Sequence, residues 1–154
     1  MCAPASMVLT ETTVYWSART DNHHKILEEF SLRPTGPGER INTLAVEIVP
    51  PDGDWLAPLE AWQYQVDQDL LPAWHEDDPA ESERRARAAL REWAAAKLIR
   101  EDGERRGGGQ YYVVGDAHLR LRLSGDEQAT VEAWDSSRAT VETRGSSQAT
   151  VATS

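Results

Sequence analysis

The chain has 154 residues, 40% apolar and 27% charged, with 26 acidic against 16 basic side chains and a net charge of −10. That balance excludes the broad attraction to polyanions behind ordinary nucleic-acid binding or adhesion to anionic lipid. No stretch of about 18 apolar residues occurs, so no membrane-spanning helix is expected, and a lone cysteine, Cys2, makes no internal disulfide and fits a reducing cytoplasm.

Residues 1–6 read as a disordered tail without the basic and apolar regions of a signal peptide. Val8 to Trp16 is β-branched and partly alternating, which predicts a strand. Asn22 caps a short predicted helix, HHKILEEFSL, with Ile26, Leu27 and Phe30 at helical spacing; the adjacent His23 and His24 take surface or capping roles. Arg33 to Arg40 is a turn-rich loop. Thr43 to Val49 is a second strand, stopped by Pro50 and Pro51. In AWQYQVDQD, Trp62, Tyr64 and Val66 alternate with Gln63, Gln65 and Asp67, the period of a half-buried strand. Pro72 prevents its continuation.

The strongest helix signal spans residues 79–97. Asp78 is placed as N-cap and Pro79 at the first helical position. Ala86, Ala89, Leu90, Trp93 and Ala96 form its apolar stripe, with Arg84, Arg87 and Arg91 opposite. Glu81 with Arg85, and Glu83 with Arg87, are spaced to pair along it. Trp62, Trp74 and Trp93 are expected to fill one core between this helix and the WQYQV strand. Residues 101–109, EDGERRGGG, read as a flexible connection.

Beyond it the chain repeats every ten residues: GQYYVVGDAH, LRLRLSGDEQ, ATVEAWDSSR, ATVETRGSSQ and ATVATS. The third and fifth positions of each unit are mostly apolar, and the seventh is Gly115, Gly125, Asp135 or Gly145, each a turn former. One short strand plus one corner per unit predicts a β-solenoid; a β-meander of hairpins is the alternative. Units stacked every ten residues would align Thr130, Thr140 and Thr150 in an outward row. The expected fold is therefore α+β: a tail at 1–6, a strand-and-helix domain at 7–108, and a repetitive β region at 109–154.

Charge is segregated. From Ile41 to Glu83 there are eleven acids and no Lys or Arg; from Arg84 to Arg106 there are eight basic residues against four acids. Acids near the start of the helix suit its dipole and pair locally, but Asp52 to Asp69 precede it.

Known chemistry is sparse. No phosphate-binding loop, nucleophile elbow or zinc-protease pair occurs. DQDLLPAWHEDD combines five carboxylates with His75 but lacks the order of a calcium loop or the ligand set of a zinc site. An enzyme built on Asp67, Asp69 and His75 is the weakest of three readings.

The segment WQYQVDQDLLPAW, followed by the RARAALREWA helix, a YYV strand and a VEAWDSS-type tail, resembles a group of uncharacterised proteins encoded by bacteriophages and prophages. The resemblance covers most of residues 24–154. It implies a phage accessory protein acting in the cytoplasm of a bacterial cell, and brings no catalytic residues.

The leading expectation is a non-enzymatic interaction protein. Its acidic face, Asp52, Asp54, Asp67, Asp69, Glu76, Asp77 and Asp78, would dock on a basic host protein or nucleoprotein complex, as an anti-CRISPR-like inhibitor of a nucleic-acid-targeting defence system would. The alternative is a structural accessory protein that oligomerises through its β repeat, using Thr130, Thr140, Thr150, Val141 and Val151. No cofactor, metal ion, direct nucleic-acid contact or membrane contact is expected.

Overall fold

In the computed structural model, which describes residues 3–153, helices combine with strands in three sheets, and the chain clusters into two units, residues 1–92 and 93–154. Cys2 lies outside the described residues. No helix among them is long and apolar enough to cross a membrane.

The first unit holds an antiparallel sheet of β1 (Ser6–Leu9), β2 (Val14–Tyr15), β3 (Leu44–Val49) and β4 (Gln63–Val66), in the order β2-β1-β3-β4. The strand expected from Val8 to Trp16 is two strands. The Thr10 N–H donates to the Thr13 carbonyl at 2.8 Å, and the Thr10 hydroxyl accepts from the Thr13 N–H at 3.1 Å. This side-chain bond stabilises a turn at the expense of a continuous ladder.

The expected tail is also corrected over its described residues. Ala5 and Ser6 are fully buried, and Ala5 exchanges backbone bonds with Ile48 at 2.6 and 2.9 Å. Small side chains let this segment lie against β3 despite its weak apolar signal.

Helix α1 (His23–Glu29) begins where predicted: the Asn22 side chain accepts from the Lys25 N–H at 3.1 Å. Short α2 (Ala73–Asp77) follows Pro72, and α3 (Pro79–Lys97) begins at its predicted cap, the Asp78 carboxylate accepting from the Glu81 N–H at 3.2 Å. Met7, Leu9, Ile26, Leu44, Val46, Ile48, Trp62 and Leu90 are buried in the first unit. Each large aliphatic side chain so buried contributes about 1.5–3 kcal/mol.

The buried line of α3 is Ser82, Ala86, Leu90, Trp93 and Lys97, with Ala89 and Ala96 flanking it half-buried. Glu83 pairs with Arg87 at 2.8 Å as expected. Glu81 pairs with Arg84 rather than Arg85, whose guanidinium instead donates to the Thr10 carbonyl at 2.9 Å.

Each of the three tryptophans has its own surroundings within its unit. Trp62 is buried in the first unit, with its indole N–H on the Ala57 carbonyl at 3.2 Å. Trp74 is half-buried under the Arg85 guanidinium, 5.5 Å from its ring centre. Trp93 belongs to the second unit and stacks on Tyr112 at 5.6 Å, with the fully buried Lys97 ammonium 5.5 Å from its ring.

The second unit contains β5 (Leu98–Ile99), β6 (Gly103–Arg106), β7 (Gly109–Val113), β8 (His118–Leu123), β9 (Gln128–Ala133), β10 (Arg138–Thr143) and β11 (Gln148–Thr153). Successive strands alternate between two sheets, ordered β11-β9-β7-β5 and β10-β8-β6. Every pairing is parallel, which excludes the meander of hairpins.

From β7 onward the partners are twenty residues apart, as Val131 with Val151 and Leu121 with Val141. A register of ten is corrected because each corner sends the chain to the facing sheet. Gly115, Gly125, Asp135 and Gly145 take φ of 66°, 62°, 59° and 67° at these corners, a region open to glycine and tolerated by Asp.

The serines after the last two of these hold the corner twenty residues earlier, in the neighbouring turn of the same edge. Ser136 and Ser146 donate to the carbonyls of Gly115 and Gly125 at 3.3 and 3.1 Å, and Ser137 to that of Val113 at 2.8 Å. Side chains from both sheets, including Tyr111, Val113, Leu119, Leu121, Leu123, Ala129 and Val131, form one core.

The supposed flexible connection at 101–109 contains β6, paired with β8. The division between units falls at residues 92 and 93 rather than 108 and 109, because Trp93, Leu98 and Ile99 stack or pair with β7 residues.

Candidate interaction surfaces

Asp52 and Asp54 lie in a tight turn after β3, Asp67 and Asp69 in the segment leaving β4, and Glu76, Asp77 and Asp78 at the end of α2. All seven are exposed. Three have local work. Asp54 accepts from the Leu56 N–H at 3.1 Å, Asp67 faces His23 at 3.4 Å, and Asp78 caps α3. The carboxylates of Asp52, Asp69, Glu76 and Asp77 make no hydrogen bond or ion pair among the described residues.

His75 does not join Asp67 and Asp69. It is 5% exposed, and its Nδ1 bonds the Ser82 hydroxyl at 2.8 Å. His23, expected at the surface, is buried, and its ring nitrogen lies 2.8 Å from the Val46 carbonyl. Its distant partners gave the sequence no local signal.

The residues singled out for assembly divide between the sheets of the second unit. Thr130 and Thr150 are exposed neighbours in one sheet, in line with Gln110. Thr140 lies in the other, opposite Arg120, with its hydroxyl 2.7 Å from His118 Nε2. The row of three threonines is therefore corrected: ten residues change the sheet. Val141 packs partly against the core, and Val151 is 48% exposed.

The same register exposes a feature the sequence reading missed. Leu119, Leu121 and Leu123 point inward, so Arg120 and Arg122 stand on the outer face of β8. Arg106 and Arg138 are exposed on the neighbouring strands β6 and β10. Arg122 reaches Glu142 at 3.4 Å, whereas Arg106, Arg120 and Arg138 have no ion pair among the described residues. The signal was present in the alternation LRLRL.

Charge follows the two units. Residues 1–92 hold eight basic and seventeen acidic side chains, net −9; residues 93–154 hold eight and nine, net −1. Compared with known proteins, the chain matches no family model, no curated protein and no solved structure.

Proposed function

We propose that the chain is a non-enzymatic interaction protein whose acidic N-terminal unit docks on a basic protein surface, carried by a short two-sheet β-solenoid. The observation behind this reading is the unequal charge: a net −9 in residues 1–92 against −1 in residues 93–154. Exposed carboxylates without partners lose no internal contact on docking, and a field of one sign speeds encounter with a basic surface. Surfaces that track a nucleic-acid backbone are basic in this way. The resemblance to phage-encoded proteins favours a host defence complex as the owner of that surface, with this chain as its inhibitor.

The test begins with capture from nuclease-treated bacterial lysate at low and high salt, followed by titration of the purified partner. Asp52, Asp69 and Asp77 are changed to Asn and Glu76 to Gln, all together. Binding weakened at least tenfold, with a shallower salt dependence, is the expected result. Unchanged affinity overturns the reading.

The arginine-bearing outer face supports a second reading, assembly. Arg106, Arg120, Arg122 and Arg138 of one copy complement the acids of another copy's first unit, a heterologous contact that builds chains of molecules. Oligomers at low salt that disappear in Arg120→Glu/Arg122→Glu support it. A monomer at high concentration and low salt overturns it.

A further inference from the structure

We propose that His23, Glu47 and Asp67 form a binding site for one divalent cation of the zinc class. The three come from separate elements. His23 opens α1, Glu47 lies within β3, and Asp67 follows β4. The β3–β4 register sets Glu47 beside Gln65, and the Asp67 N–H donates to the Ala45 carbonyl at 2.8 Å. Residues two apart on a strand share a face, so Glu47 and Asp67 stand together. One donor atom from each of the three residues lies within 4.8 Å of the others.

The imidazole is oriented for a cation. Its Nε2 lies 2.8 Å from the Val46 carbonyl oxygen, which only accepts, so Nε2 carries the hydrogen. In the neutral ring, Nδ1 then presents a lone pair to the Asp67 carboxylate 3.4 Å away. Two electron-rich atoms facing each other need a positive charge between them. A ring N–H held by a carbonyl while the other nitrogen faces carboxylates is the usual environment of a metal-ligating histidine.

Glu47 adds an independent reason. It is 4% exposed, and no Lys or Arg pairs with it among the described residues. Its two oxygens accept from the Ala3 N–H at 3.0 Å and the Gln65 amide at 2.8 Å. These neutral donors fix the carboxylate and leave its charge uncompensated, which is costly in the interior. Each oxygen keeps a lone pair for a further bond.

The spacing also fits. Metal–ligand bonds of about 2.0–2.2 Å at a tetrahedral angle place two donor atoms about 3.4 Å apart, matching the 3.4 Å between Nδ1 and Oδ2. One nitrogen and two oxygens leave a fourth position for water. An imidazole ligand favours zinc over magnesium or calcium. The Asp67 side chain is 49% exposed, which gives the ion a way in. The competing occupant is a proton on Nδ1.

Asp67 also belongs to the acidic face, but the two tests are independent, since the docking variants keep it. The test titrates zinc chloride into chelator-treated full-length Cys2→Ser protein by calorimetry, with cobalt(II) absorption reporting four-coordinate geometry. One saturable site is expected, weakened at least tenfold by Asp67→Asn and by His23→Gln. Asp67→Asn, at a half-exposed position, keeps the test valid if His23→Gln fails to fold. Absence of saturable zinc binding, binding unchanged in both variants, or equal affinity for magnesium overturns the assignment.

Discussion

Thr130 stands directly across its sheet from Thr150, while Thr140 stands in the other sheet opposite Arg120. Neighbouring strands lie about 4.8 Å apart and packed sheets about 10 Å, whereas a disulfide needs Cα atoms about 4.4–6.8 Å apart. In a Cys2→Ser background, Thr130→Cys/Thr150→Cys should therefore oxidise to an intramolecular disulfide. Thr130→Cys/Thr140→Cys should not. Peptide mapping without reductant reads the difference, and a crosslink in the second pair alone would refute the twenty-residue register.

Burial falls along the repeat. Leu121 is 1% exposed and Val131 fully buried, Val141 is half-buried, and Val151 is 48% exposed. Leu121→Ala should cost about 2–5 kcal/mol, and Val151→Ala no more than about 0.5 kcal/mol. Urea denaturation of the two variants compares them. Equal losses would mean that the last strand is as tightly packed as the middle of the unit.

The residues that carried a local rule were legible in the sequence. Asn22 and Asp78 cap the helices they were assigned to, because a cap is decided within three residues. Gly115, Gly125, Asp135 and Gly145 fall at corners because those corners require positive φ. What depended on partners far along the chain was not legible. A ten-residue repeat does not say whether successive units stack on each other or alternate between sheets; corner geometry decides that. Ala5 and Ser6 carry little apolar signal, yet the edge of β3 draws them in. His23, Glu47 and Asp67 are separated by about twenty residues each, so only the assembled sheet brings them together.

The Asp78 cap has a measurable weight. Its carboxylate holds the Glu81 N–H, whereas the carboxylate of neighbouring Asp77 makes no hydrogen bond or ion pair among the described residues. Asp78→Ala should lower stability by about 1 kcal/mol, within the range for lost N-caps. Asp77→Ala should change it by less than about 0.5 kcal/mol. Thermal melts followed by circular dichroism separate them. An equal effect at both positions would assign the loss to charge rather than capping.

Tyr64 gives a test in alkali. Its hydroxyl is buried without a hydrogen-bond partner. Burial, helped by the charge of Glu83 and opposed by Arg85 and Arg87, pushes the phenol up from 10.0 to about 12. The folded state thus holds the phenolic proton more tightly than the unfolded chain does. Its contribution is fully present below pH 10 and is lost as pH rises towards about 12. Near neutral pH, Tyr64→Phe should leave stability unchanged or raise it by up to about 1 kcal/mol, because an unpartnered buried hydroxyl is removed. Between pH 10 and about 12 the wild type should lose stability faster than the Phe variant. Paired urea denaturations at neutral pH and midway through that window read the difference. A gap between the two proteins that stays constant with pH would show that the Tyr64 hydroxyl meets water in the folded state.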